Sequence, residues 1–122
     1  MAGRLVPLVL IPRFSCYSGP YSFKTIAMDV TDYKSAIVNV WRGAVTGSAA
    51  THPWTMAFEE STDQDNWSTC TGGPAADKPD ATVESQYTLS LTKRWFRVNV
   101  TLDGSAPIIT CWAVGFHEER EN

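Results

Sequence analysis

Few side chains in this sequence have the type and context for chemistry. Both histidines lack a catalytic setting. His52 sits in a Pro-flanked stretch before Pro53, and His117 stands beside Glu118 and Glu119. Neither belongs to an HExxH, a GxSxG or a Cys–His arrangement, so each reads as an ordinary surface histidine. Glu59 and Glu60 are the obvious carboxylate pair, but neighbours in a strand point to opposite faces and cannot flank one bond. The run Asp63-Gln64-Asp65-Asn66 places oxygens at alternate positions, as calcium requires. It lacks the glycine and the distal bidentate Glu of a calcium loop, and it reads as a solvated turn. No P-loop or GxGxxG is present.

Cys16, Cys70 and Cys111 form no CxxC and no Cys/His spacing suited to zinc. Cys111 alternates with Ile109 and Ala113 and reads as a small buried hydrophobe. A Cys16–Cys70 bridge, within one chain or between neighbours, stays open at this level. These absences predict a protein that is not an enzyme and has no catalytic residue, cofactor or metal. The five tryptophans are the remaining candidates, because a flat indole face can stack on a sugar ring. Four lie inside strand-like runs, where core packing is expected. Trp54 and Trp67 are the two to consider for ligand stacking, with Trp67 expected to fold back over the end of the domain. Asn66-Trp67-Ser68 and Asn99-Val100-Thr101 match the glycosylation acceptor pattern and are read as accidental.

The elements that must hold these residues all show period two. Ala36, Val38 and Val40 share one face of a run, and Trp54, Met56 and Phe58 share one face of the next. Tyr87, Leu89 and Leu91 follow, then Phe96, Val98, Val100 and Leu102, each alternating with more polar neighbours. That pattern predicts antiparallel sheet with one wet face. Ile108 to His117 is apolar on both faces and should be central or covered. Turn residues at Gly43–Pro53, Ser61–Asn66, Thr71–Asp80 and Asp103-Gly104 separate the runs. The Thr92-Lys93 step must also turn, without glycine, or one strand would be too long. The fold class expected is all-β: a single antiparallel β-sandwich, jelly-roll or Ig-like, with about seven or eight strands. Its 122 residues fit one domain.

Residues 1–20 read differently, as an extended N-terminal arm preceding a β-sandwich over residues 21–122. Leu5, Val6, Leu8, Leu10 and Ile11 are apolar, while Pro7 and Pro12 fix extended backbone and interrupt any secretory signal. A lone apolar strand gains by adding to a neighbour's sheet edge, so these five residues are the expected partner-binding set. The formal net charge of -3 disfavours nucleic acid, and no apolar run is long enough to span a membrane.

Two resemblances follow. Ser61-Thr62-Asp63-Gln64-Asp65-Asn66-Trp67 resembles the S-x-D-x-x-x-W corner of discoidin-like jelly-roll sandwiches, and Arg94-Trp95-Phe96-Arg97-Val98 resembles their R-Y-V-R-V strand. The chain lacks the usual glycine after the Asp, so the ligand-binding loops of those families do not carry over. The overall plan, a Pro-containing arm, one compact sandwich and the ending Pro107-Ile108-Ile109-Thr110-Cys111-Trp112-Ala113-Val114-Gly115, is similar to small tailed-bacteriophage virion proteins of the head-decoration or cement type. That resemblance implies a structural protein on the capsid surface, made in the host cytoplasm. Its partners would be the major capsid protein and copies of itself. The alternative expectation is a carbohydrate-binding or adhesin-like sandwich with a glycan on Trp54 or Trp67.

Overall fold

The computed structural model describes residues 4–19, 21–43, 54–73, 84–103 and 108–120. The described residues form nine strands and no helix. In chain order they are β1 (Leu5–Ser18), β2 (Tyr21–Lys24), β3 (Met28–Asp29), β4 (Tyr33–Arg42), β5 (Trp54–Ser61), β6 (Ser68–Thr69), β7 (Ser85–Ser90), β8 (Trp95–Leu102) and β9 (Ile108–Glu119). They make two antiparallel sheets. The first runs β1-β9-β4-β7 and the second β2-β8-β5-β6, with β3 also paired to β8.

This strand order is that of a jelly roll. Four antiparallel pairs, β1·β9, β2·β8, β4·β7 and β5·β6, are the rungs of one long hairpin rolled up into two sheets. The pairs β4·β9 and β5·β8 join neighbouring rungs. Between the two architectures left open by the sequence, the register selects the jelly roll. β2 and β3 act as one strand with an interruption. There the Thr25 N–H donates to the Val98 carbonyl (3.0 Å) and the Val98 N–H donates to Thr25 Oγ1 (2.9 Å).

The predicted alternation places the core. Val38, Val40, Phe58, Leu89, Phe96, Val98 and Val100 are all buried between the sheets, with Phe58 stacked on Phe96 at 6.2 Å. β9 is central in its sheet, between β1 and β4, one of the two places its two-sided apolar pattern allowed. The glycine-free turn after Leu91 is held by an acceptor from another strand. The buried Glu60 carboxylate accepts from the Thr92 N–H (2.8 Å), the Thr92 hydroxyl (2.9 Å) and the Lys93 N–H (3.1 Å).

The leading segment is extended, as expected, but it does not stand apart. β1 pairs with β9 from Leu5↔Glu118 to Ser18↔Ile108, and Leu8, Leu10 and Ile11 lie in the common core. The separation of an arm at 1–20 from a sandwich at 21–122 is therefore corrected: β1 is the first strand of the jelly roll. Two features hid it. Between Val9 and Ile11 the register slips by one, so the consecutive residues Leu10 and Ile11 both turn inward and break the period. The partner strand also lies about a hundred residues away, at a distance no local pattern reports.

Candidate functional site

The residues expected to bind a partner separate once the sheet forms. Leu8, Leu10 and Ile11 are interior and are corrected as contact residues: their apolar surface is already spent on their own core. Val6 is half-buried opposite His117. Leu5 alone of the expected set projects openly to solvent, 50% exposed, on the outer face of the first sheet.

That face is where exposed apolar surface collects. Val9 (60% exposed), Ile108 (49%) and Phe116 (42%) join Leu5 there, so four of the five exposed large hydrophobics among the described residues share one surface. Pleating explains the grouping. On β9 the odd positions Ile109, Cys111, Ala113 and His117 face the core, which sends Ile108, Val114 and Phe116 outward. The register then sets Val9, Val114 and Asn39 in one cross-strand row and Pro7, Phe116 and Ile37 in the next. Pro7, Val9, Pro12, Asn39, Val114 and Phe116 border an open groove of about 420 Å³. Farther along, Trp41 and Trp112 stack at 6.2 Å. The nearby charges pair with one another at one end of the sheet: Arg4 with Glu119 (2.8 Å) and Lys34 with Glu118 (2.7 Å).

The free side of β1 is blunted. The Glu119 N–H donates to the Arg4 carbonyl (2.9 Å), and in an antiparallel ladder this sets Val6 and Leu8 toward β9 and aims the peptide groups of Leu5, Pro7 and Val9 outward. Pro7 thus removes a donor from the open edge, and the bulge after Val9 distorts it.

The aromatic candidates fare differently from expectation. Trp54 is 1% exposed and lies in the core, with the Arg42 guanidinium 5.9 Å from its ring centroid. As a sugar platform it is corrected, because no ring face reaches solvent. Trp67 is half-buried. It folds back over β8, where the Arg97 guanidinium covers its ring at 3.8 Å and its Nε1–H donates to the Gln64 carbonyl (3.0 Å). Glu59 holds Arg97 from β5 (2.9 Å). The two motif pieces quoted for the discoidin-like corner therefore meet at Trp67 and Arg97.

The acidic turn is occupied with itself. Asp63 Oδ1 accepts from the Asp65 and Asn66 N–H groups (both 2.9 Å), Oδ2 accepts from the Asn66 amide (3.0 Å), and Gln64 takes a left-handed φ of 66°. Those donors, Asn66 N–H first, hold the Asp63 carboxyl well below the usual carboxylate range. No group of three or more metal-ligating residues occurs among the described residues. Glu59 and Glu60 diverge to opposite faces as expected, one onto Arg97 and one under the Thr92 turn.

His117 is a correction. It is 6% exposed rather than superficial, stacked on Tyr33 at 4.6 Å, with Nε2 buried and no hydrogen-bond partner among the described residues. Burial lowers its pKa below the ordinary 6.5. Its position on the core-facing side of β9, two residues after Gly115, was the available signal. His52 lies outside the described residues. All three cysteines are free: Cys111 is buried as expected, Cys70 is also buried, and Cys16 is exposed. Burial pushes the thiols of Cys70 and Cys111 up to about 12.

No family model matches this chain, and comparison with curated proteins and with solved structures finds no significant match.

Proposed function

We propose that this chain is a non-catalytic structural module that takes its place in a larger assembly through the outer face of the β1-β9-β4-β7 sheet, as a virion component of the head-decoration or cement type. The observation that carries the reading is the apolar stretch of that face where Leu5, Pro7 and Val9 of β1 adjoin Val114 and Phe116 of β9. Contiguous apolar surface on a small domain marks a contact with another macromolecule. Attachment by a free arm, expected from the sequence, is replaced here by attachment through a sheet face that the same segment helps to build. The resemblance to phage virion proteins supplies the setting, and jelly rolls recur among viral capsid domains, which is an analogy of fold only. The partners in this reading are the major capsid protein and further copies of the chain.

The test is reconstitution on particles from the source. Virions stripped of the chain should rebind the purified protein saturably and at fixed stoichiometry. A Val9→Lys/Phe116→Lys double variant with an unchanged circular dichroism spectrum should fail to rebind. Particles that neither contain the chain nor take it up would overturn the proposal.

A further inference from the structure

We propose that the neighbour covering the outer face of the β1-β9-β4-β7 sheet is a second copy of this chain, packed sheet on sheet about a two-fold axis. The inference rests on the same face as the proposed function and names its occupant.

Three observations lead there. The first is where the charges lie. A two-fold contact sets each patch against itself, so any net charge near the axis would meet its own kind. In the two cross-strand rows at the middle of this face the side chains are apolar or neutral: Pro7, Val9, Ile37, Asn39, Val114 and Phe116. At the rim, Arg4 is paired with Glu119 and Lys34 with Glu118 within one chain, so these four charges are balanced where a second copy would meet them. A strongly charged partner would find no complementary charge in those two rows. The outer side of the second sheet differs in carrying charge within its strands, where Glu59 of β5 pairs with Arg97 of β8.

The second observation is size. Four strands about 4.8 Å apart, with roughly ten residues at about 3.3 Å each, make a face on the order of 600 Å². Standard interfaces use roughly 600–1,000 Å² per partner, so this face is large enough for a stable dimer.

The third is shape. Phe116 stands beside the groove of about 420 Å³ bordered by Pro7, Val9, Pro12 and Val114. A ridge next to a hollow on one surface is self-complementary under a two-fold rotation: the ring of each copy enters the groove of the other. Edge-to-edge pairing of β1 strands, a competing route to a dimer, is opposed by Pro7 at an outward-facing peptide position and by the bulge after Val9.

The experiment is the mass of the full-length chain in solution, by sedimentation across micromolar to hundreds of micromolar concentrations. The expected result is a dimer. Val9→Lys and Phe116→Lys should each weaken it by roughly a hundredfold, because each sets an unpaired charge in a desolvated contact. Asn39→Arg, at a half-buried position in the same row, serves if either variant misfolds. Cys16 provides a second readout. It lies in register with Thr110 and is the exposed thiol, whereas Cys70 and Cys111 are buried. A bismaleimide that links two wild-type copies through Cys16 should lose that product in the Lys variants. A monomer at every concentration, or a dimer that survives the substitutions, overturns the inference. A monomer that still rebinds stripped particles through this face would sink the dimer and leave the proposed function standing; a dimer that ignores particles would do the reverse.

Discussion

At the residue scale, His117 couples this fold to pH. Its imidazole is packed against Tyr33 and Phe96, and burial keeps it neutral to a pH lower than the ordinary 6.5. The charged groups nearest in sequence and register are Glu118, which pairs with Lys34, and Glu119, which pairs with Arg4, so neither is free to stabilise an imidazolium. As pH falls through 6.5 the unfolded chain takes up a proton that the folded chain refuses, and stability declines toward the lowered folded pKa. Unfolding free energy from urea titrations should therefore fall as the pH drops below about 6.5, and His117→Phe should flatten that slope. Asp29 and Asp63 act in a different window. Both are held below the ordinary 3.8 by hydrogen bonds, so their contribution is lost only under more acid conditions. Glu60 does structural work of another kind, accepting three hydrogen bonds at a turn that has no glycine. Glu60→Ala leaves the Thr92 and Lys93 N–H groups without their acceptor and should cost about 2–4 kcal/mol in the same titrations, with Glu60→Gln costing less.

At the element scale, β1 and Gly115 decide how the first sheet closes. Removing residues 1–12 takes Leu8, Leu10 and Ile11 from the core and turns β9 into an open, two-sided apolar edge. The truncated chain should lose its cooperative thermal transition or aggregate, instead of leaving an intact sandwich behind. A well-folded truncation product, judged by near-UV circular dichroism, would show β1 to be dispensable. Gly115 lies on β9 between Leu8 of β1 and Val38 of β4. A Cβ at this position would run into the Ile37 carbonyl oxygen, a backbone atom with no rotamer to escape by. Gly115→Ala should accordingly destabilise by about 3 kcal/mol, measured as a shifted urea midpoint.

At the scale of the whole molecule, the jelly roll ties the two ends of the chain together. β1 at Leu5–Ser18 pairs with β9 at Ile108–Glu119, so the outermost rung of the rolled hairpin closes over nearly the full length of the sequence. Such non-local pairing makes folding slow, on the order of milliseconds to seconds, and makes the sheets depend on each other. Equilibrium unfolding should therefore give coincident transitions by far-UV circular dichroism and tryptophan fluorescence. Separate midpoints would mean that one sheet survives without the other.

The sequence by itself determined the material: strands rather than helices, the inward face of β4, β5 and β8, the two-sided apolar character of β9, and the opposed directions of Glu59 and Glu60. Each follows from the two-residue repeat, which is local and survives in the residues themselves. Pairing is not local. That Ile11 meets Ala113, that Trp67 meets Arg97, and that Leu5, Val9 and Phe116 come to share a surface were settled only when distant strands took their register. The same step drew the leading segment into the core and put Trp54 and His117 out of reach of solvent. Burial belongs to neighbours, and a chain read one residue at a time does not contain its neighbours.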